Sequence, residues 1–389
     1  CGIAGFTGDI GPGAENRLEA MNASLLHRGP DDQAIILLDK NGSQCGGETP
    51  PAAGLAHRRL SIIDLSDAGR QPMANEDESV WIAYNGECYN FQSLVTDLMS
   101  SGHRFRSRSD TEALIHGYEE WGIHGLLSRL NGMFAFALWD QKQQQLVLAR
   151  DRLGKKPLYY TIDSKGNLIF ASEIKALISG GFVDTGSIDQ AALVEFWLYG
   201  YTAGERTIFN QVKRLEPGHY ATFKNGEFIV EKYWDCQFIP DTEGRRSIDD
   251  YCDELEDLLT DSIRLRLISD VPVGVFLSSG IDSSLISALT SRLTQGSIES
   301  FSIGFENAHF DESLVAGEIA NYLKIKNTRL NVTADFEPFF QPIATHFDEL
   351  FGDSSAIPTF FVSREAKKHV TVVLTGDAGD ELFAGYDSY

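Results

Sequence analysis

The chain has 389 residues, 42% hydrophobic and 11% aromatic, enough for the packed cores of about two domains. Lys and Arg number 33 against 56 Asp and Glu, giving a formal charge of −23. A surface this acidic repels phosphate backbones and anionic lipid, so nucleic-acid and membrane partners are not expected. No apolar run approaches the roughly 18 residues of a membrane-spanning helix, and the start lacks the basic and apolar regions of a secretory signal. The five cysteines, Cys1, Cys45, Cys88, Cys236 and Cys252, are odd in number and irregularly spaced. Neither a disulfide framework nor a zinc site is expected, and a reducing cytoplasm is the natural compartment.

The chain opens on "CGIAGFTGDI". A terminal cysteine places a nucleophilic thiol and a basic α-amine on one residue; the plainer alternative is a processed chain that happens to begin there. "ENRLEAMNASLLHR" follows with helical periodicity, then "QAIILLD" and "ESVWIAYNGECYN" as strands. "FQSLVTDLMSSG" and "DTEALIHGYEEWGIHGLLSRL" are helical, the second opened by the start signature "SDTE". The basic run His103–Arg108 between them reads as a solvated loop. "MFAFALWD", "QQLVLARD", "PLYYTID" and "NLIFASE" add strands, and "GHYATFKNGEFIVEKYW" is a hairpin with an Asn-Gly turn. The polar stretch "IPDTEGRRSIDD" reads as a linker. Beyond it, "YCDELEDLLTDSIRLRLI" is an amphipathic helix. The buried runs "VPVGVFL", "ESFSIGF" and "VTVVLTG" then alternate with helical patterns, which predicts a parallel α/β sheet.

Within that second part, "VPVGVFLSSGIDSSLISALTS" is a strand, a Ser/Gly loop and a helix, an arrangement that presents N–H groups and hydroxyls to an anion. It is not a Walker loop, since the Gly-Lys-Ser/Thr ending is missing, and an ordinary Ser-capped turn is the bland alternative. Asp282 favours the first reading, because a carboxylate beside phosphates needs a cation such as Mg²⁺ between them. A second acidic loop, "VVLTGDAGDELFAGY", carries Asp377, Asp380 and Glu381. Loops at the carboxyl ends of strands in a doubly wound sheet gather in one crevice, which suits a nucleotide with Mg²⁺.

These motifs carry a resemblance. "LSSGIDSS" resembles the pyrophosphate loop of the N-type ATP pyrophosphatases, and "TGDAGDELFAGY" is similar to the matching downstream loop of asparagine synthetases. "CGIAGF", "LLHRGPDDQ", "HRRLSIIDLSDAGRQPM", "YNGECYNF", "SDTE", "LNGMFAFALWD", "RDRLGKKPLYY" and "FASEIKAL" are each similar to the glutaminase half of that family, in the same order. The ordered set spans essentially the whole chain and is similar to the glutamine-dependent asparagine synthetase family.

The resemblance implies an N-terminal-nucleophile hydrolase sandwich (αββα) over residues 1–220. A doubly wound parallel-sheet ATP pyrophosphatase domain follows over residues 245–389. Cys1 is then the nucleophile toward glutamine, with Asn85 and Gly86 as the oxyanion hole. Arg59 would pair with the substrate α-carboxylate, Glu87 and Asp110 with its α-ammonium, and Ile62 and Ile63 would line the pocket. The bland alternatives are a surface ion pair for Arg59 and a helix cap for Asp110; His27 and His57 are read as structural. In the second domain, Leu277, Ser278, Ser279, Gly280, Asp282, Ser283, Ile303, Thr375 and Gly376 are implied around ATP. Asp282 and Asp380 are implied as Mg²⁺ ligands, and Asp377 lies near the acyl-adenylate and incoming ammonia. The implied reaction activates the aspartate side chain with ATP, and ammonia passed internally displaces AMP to give asparagine.

Three departures accompany the resemblance. Ser279 stands where the family loop usually has Gly, Ala378 stands at a position usually Gly or Ser, and the chain stops at "AGYDSY" directly after the second loop. The synthetase domain is therefore expected to lack its C-terminal part. The same chemistry on a sugar, peptide or natural-product carboxylate is the enzymatic alternative. A glutamine- or nucleotide-sensing protein without synthetase activity is the other. A homodimer is a family-level expectation.

Overall fold

The computed structural model describes residues 1–46, 49–240, 246–305, 311–332 and 337–386. Residues 241–245 of the expected linker and the last three positions of the chain lie outside the described residues. Two compact units emerge: Cys1–Gln237 together with Phe347–Gly352, and Phe238–His346 together with Asp353–Tyr389.

The first unit contains β1 (Gly2–Thr7), β2 (Asp32–Leu38), β3 (Ala53–Arg59), β4 (Met73–Ala74), β5 (Val80–Cys88) and β6 (Gly132–Asp140). After these come β7 (Gln145–Arg150), β8 (Tyr159–Ile162), β9 (Leu168–Ala171), β10 (Lys213–Arg214), β11 (His219–Lys224) and β12 (Glu227–Lys232). They form two six-stranded sheets, β10-β8-β9-β1-β3-β2 and β12-β11-β7-β6-β5-β4. Alternating residues of each sheet point inward, so Ile3, Leu55, Ala83, Ala137, Leu148 and Phe170 share one core.

The opposite faces are covered by helices. Ala4 and Phe6 of β1 pack with Leu18 and Met21 of helix Ala14–Ser24 and with Leu177 of helix Ile174–Ser179. On the second sheet, helices Phe91–Ser100 and Asp110–Arg129 bury Leu94, Leu98, Leu114 and Ile115. The result is an αββα stack. β11 and β12 join through Asn225 (φ 54°) and Gly226 (φ 80°), the paired positive φ that a two-residue hairpin turn demands.

Two central strands, β1 and β3, were not among the runs expected from periodicity. β1 reads "GIAGFT", and its glycines lower strand propensity, yet all six residues are buried. A Cβ on Gly5 would lie 2.5 Å from Phe170 Cζ on the neighbouring strand β9, so close packing within the sheet requires glycine there. The long helix expected over residues 110–130 is broken at Gly122 (φ 63°, ψ 179°).

The second unit is a four-stranded parallel sheet of β13 (Val273–Phe276), β14 (Glu299–Phe305), β15 (Lys326–Val332) and β16 (Val372–Leu374), ordered β15-β14-β13-β16. Val275, Leu277, Leu289, Ala316 and Ile263 pack on one face beneath helices Ile248–Arg266, Ile281–Thr294 and Ser313–Leu323. Phe301, Leu330, Val362 and Ala366 fill the other, under helix Ala356–Ala366. With both faces covered, the sheet is doubly wound. From β13 the chain builds outward through β14 and β15, then returns to place β16 on the opposite side of β13. The order therefore reverses between β13 and β16, and the crevice opens at their carboxyl ends. Among the described residues, no helix is long and apolar enough to cross a membrane.

Candidate active sites

In the first unit, β1, β3 and β5 bring the expected glutaminase residues to one end of the sheets. β1 pairs with β3 in a register that sets Gly2 opposite Arg58, so Cys1 and the β3 terminus at Arg59 lie side by side. Cys1 Sγ sits 3.5 Å from the Leu60 N–H, which donates to it, and 3.7 Å from the Leu60 carbonyl. The Cys1 carbonyl accepts from Arg28 Nε at 2.8 Å. Burial, reinforced by the charges of Arg28 and Lys156, lowers the Cys1 α-amine to about 4. At neutral pH that nitrogen therefore carries a lone pair.

Asn85, on β5, is fully buried and donates from Nδ2 to Ser172 Oγ at 3.4 Å, while its Oδ1 has no partner. The same Ser172 oxygen accepts the Ile3 N–H at 2.9 Å, so its own hydroxyl proton is available to an acceptor. Turning the Asn85 amide by 180° lets Ser172 donate to Oδ1 and leaves Nδ2 as the open donor, the arrangement an oxyanion needs. Gly86 must be glycine, since a Cβ would fall 2.8 Å from Phe134 Cα on β6.

Arg59 is buried and grips the loop that follows it, donating to the carbonyls of Ser66 (3.1 Å), Ile63 (3.4 Å) and Asp64. These bonds use three of the five guanidinium N–H groups, leaving two for a ligand. A surface ion pair is thereby excluded. Ile62 and Ile63 are half-buried in this loop. Asp110 is buried and accepts the Cys88 N–H at 2.8 Å. Burial outweighs its hydrogen bonds and raises its pKa to about 6, so a cationic group nearby would be stabilised by, and would stabilise, its charged form. Glu87 is also buried. The helix cap is Ser109, whose hydroxyl accepts the Thr111 N–H at 3.2 Å; Asp110 is the first helical residue, one place inside the cap.

His27, His57 and His116 each have partners within the fold. His57 is fully buried, touches the Tyr84 carbonyl at 3.0 Å, and burial drops its pKa to about 3. His27 reaches Glu173 at 2.9 Å. His116 lies between Glu112 and Glu119, which together raise its pKa to about 9 against the opposing effect of burial. His103 and Glu119 stand close enough to His116 to share an ion, but the imidazole holds its own proton in that place.

Several residues that organise this site were not singled out by sequence reasoning. Asp64, at φ 56°, accepts the Arg108 N–H at 2.8 Å and so ties the Arg59 loop to the segment leading into Asp110. Ser172 and Glu173 sit in "FASEIKAL", and Arg28 in "LLHRGPDDQ". Both motifs were visible, but their roles depend on pairings across about 145 to 170 residues that spacing does not encode.

In the second unit, a cavity of about 950 Å³ opens at the topological switch point. Leu277, Ser278, Gly280, Asp282 and Ser283 line it from the β13 loop, Thr375, Gly376, Asp377 and Asp380 from the β16 loop, and Ile303 from β14. Between Ser278 and Gly280, the Ser279 N–H donates at 3.1 Å to Glu312, which also lines the cavity. A Cβ on Gly376 would come within 2.7 Å of the Ser283 nitrogen, and one on Gly379 within 2.5 Å of Asp282 Cγ. The two loops therefore touch through glycines, and the Asp282 carboxylate rests in the cradle at Gly379. Asp282, Asp377 and Asp380 all line the cavity, and carboxylates are the ligand type that hard cations take. Ala378 adopts φ 77°, a left-handed conformation that disfavours any side chain.

The fold thus joins a terminal-cysteine αββα layer structure to a parallel sheet with an acidic, hydroxyl-rich cleft. The glutamine amidotransferase domain family matches residues 1–234 and the asparagine synthase family matches residues 254–389. Asparagine synthetase [glutamine-hydrolyzing] 1 of Bacillus subtilis is 38% identical over 378 residues, 96% of this chain and 56% of that protein. A Methanocaldococcus jannaschii relative, named "Putative asparagine synthetase [glutamine-hydrolyzing] 2", is 33% identical over 99% of this chain and 75% of its own length. A solved glutamine phosphoribosylpyrophosphate amidotransferase from B. subtilis aligns at 17% identity and a TM-score of 0.46, over 85% of this chain and 66% of that one. The chain belongs to the glutamine-hydrolysing asparagine synthetase family. It spans 56 to 75% of the two synthetase relatives just described.

Proposed function

We propose that this chain carries the two half-reactions of a glutamine-dependent asparagine synthetase, with Cys1 as the mature N-terminus. The thiol of Cys1 attacks the side-chain amide of glutamine as its proton passes to the α-amine. An amine held near 4 is a weak base, but its conjugate acid is correspondingly strong and readily delivers that proton to the departing nitrogen. The tetrahedral oxygen faces Asn85 and the Gly86 N–H, ammonia leaves, and water hydrolyses the thioester to glutamate. Arg59 binds the substrate carboxylate with its two remaining N–H groups; Asp110 and Glu87 receive the ammonium.

In the second unit, ATP lies in the cleft between the β13 and β16 loops, its phosphates at the N-terminus of helix Ile281–Thr294 and its base toward Leu277 and Ile303. Asp282 and Asp380 would hold Mg²⁺, which supplies charge neutralisation to the phosphates. The aspartate side-chain carboxylate displaces pyrophosphate to give aspartyl-AMP, and ammonia then displaces AMP. Asp377 stands beside that exchange.

The observation that carries this reading is the placement of Cys1 beside Arg59, with Asn85 and its unpaired amide end on the adjoining sheet. Replacing Cys1 with Ala tests it. Glutamine-driven formation of AMP and asparagine should stop while ammonia-driven formation continues; equal activity with both nitrogen sources would refute the assignment.

A further inference from the structure

Arg58 and Arg59 are neighbours on β3 and leave it on opposite faces of the sheet, as successive strand residues do. His57 reaches the Tyr84 carbonyl of β5, in the second sheet, at 3.0 Å, so His57 and Arg59 face inward. Arg58 faces helix Ala14–Ser24 instead, and its Nε donates to the Asn22 carbonyl at 3.0 Å. Beside it, between that helix and the edge strand β2, lies a cavity of about 370 Å³. Glu19 and Asn22 line it from the helix, Gln33, Ala34 and Ile35 from β2, and Arg58 from β3.

Two groups on its wall have hydrogen-bonding capacity to spare. A guanidinium carries five N–H groups and Arg58 uses one, so the four on Nη1 and Nη2 donate to none of the described residues. Among those residues no carboxylate lies within ion-pair distance of Arg58, whereas Arg28 has Glu173 at 2.7 Å and Arg70 has Asp32 at 3.2 Å. Burial lowers the Arg58 pKa below the ordinary arginine value, and no neighbouring charge works against it. Asn22 is only 4% exposed, yet its Oδ1 has no partner and its Nδ2 donates to none of the described residues. A buried amide left in this state costs free energy that the polar groups of a ligand would recover.

We propose that this cavity binds a small neutral α-amino acid, its carboxylate on Arg58, its ammonium toward Glu19 and its side chain over Ile35. The planar fork of Arg58 matches a carboxylate through two parallel bonds. Asn22 and Gln33 bring amides to the same wall, and Ala34 and Ile35 bring apolar surface for a short aliphatic chain. The volume falls within the roughly 300–1,000 Å³ of small-molecule sites. Glu19 decides the class: a phosphate or another purely anionic ligand would meet a like charge in the cavity, whereas a zwitterion meets one charge of each sign. The site is separate from the Arg59 pocket, because the two arginines project from β3 in opposite directions.

Saturation-transfer NMR with L-alanine on the full chain tests this. L-Alanine should bind the wild type, and Arg58→Gln should weaken binding by about tenfold or more, the worth of a charged hydrogen-bonding partner. Glu19 is exposed, so Glu19→Gln leaves the fold intact; it should weaken L-alanine by about twofold to fivefold, the range of an exposed ion pair, while acetate binding holds or improves. Arg59→Gln should leave the L-alanine signal in place. No binding to wild type, equal affinity in Arg58→Gln and wild type, or binding lost in Arg59→Gln and kept in Arg58→Gln would overturn the site. Inorganic phosphate displacing L-alanine more strongly than acetate does would overturn the ligand class. Binding needs no turnover, so these outcomes stand whether or not the chain hydrolyses glutamine.

Discussion

The Asn85 side-chain amide meets the Ser172 hydroxyl at 3.4 Å inside the first unit, and that hydroxyl also accepts the N–H of Ile3, two residues from the nucleophile. One serine thus ties the oxyanion donor to the strand that carries Cys1. Asn85→Ala should lower glutaminase kcat by about 10²–10³, as loss of one oxyanion donor does elsewhere. Ser172→Ala should lower it less, with glutamine KM nearly constant in both, because binding of the amino-acid end runs through Arg59 and Asp110. A Ser172→Ala enzyme altered only in KM would contradict this division of labour.

Asp110 gives the glutamine site a pH dependence. Its carboxyl, raised by burial to about 6, is neutral below that pH and charged above it. A neutral carboxyl attracts the substrate ammonium weakly, so glutamine KM should rise as pH falls through about 6. Asp110→Asn should raise KM above about pH 6, where the wild-type carboxyl is charged, and remove this inflection. Steady-state glutamate release between pH 5 and 8, a range chosen to bracket that value, measures both.

His116 contributes to stability with the opposite sign. Its folded pKa of about 9 lies above the ordinary 6.5, so the stabilisation is complete below about 6.5 and disappears as pH rises through about 9. Thermal melting of wild type should therefore fall across that interval. His116→Asn should start lower and show a flatter profile. An identical slope in the variant would show that other groups govern it.

At Ala378, φ of 77° costs a side chain about 1–2 kcal/mol in the left-handed region, and β-branching adds to the clash. Alanine already carries that cost, so Ala378→Gly should melt at or above wild type, whereas Ala378→Val should destabilise the second unit further through β-branching alone. Denaturant titration of the two variants separates these outcomes. Greater loss with Gly than with Val would mean that the loop does not hold this conformation.

Much of the architecture was legible because it rests on local pattern. The run at Val273–Phe276 was continuous and apolar, as a strand covered on both faces tends to be, Glu299–Phe305 carried Phe301, Ile303 and Phe305 in alternation, and the helices between them kept their period. The Asn-Gly hairpin was equally plain. β15 escaped notice because "KNTRLNV" is polar, its strand character supplied by pairing with β14 rather than by composition. β1 and β3 escaped for a related reason: glycine, alanine, histidine and arginine were selected there by close packing and chemistry, which propensity does not score. Within the candidate sites, "YNGE" and "LSSGIDSS" could be located from sequence because each is a short contiguous stretch, on β5 and after β13. The Arg28, Glu173 and Lys175 cluster was invisible because it is assembled from both ends of the first unit and from a segment beyond residue 346.

That last segment sets a rule for dissecting the molecule. A recombinant fragment ending at Gln237 would strip Lys175, Thr202 and Gly200 of their partners and expose a raw groove where Asp348, Glu349 and Gly352 had been. Anyone isolating the amino-terminal half should graft residues 347–352 back through a short tether, or supply them as a peptide, before comparing its behaviour with that of the intact chain.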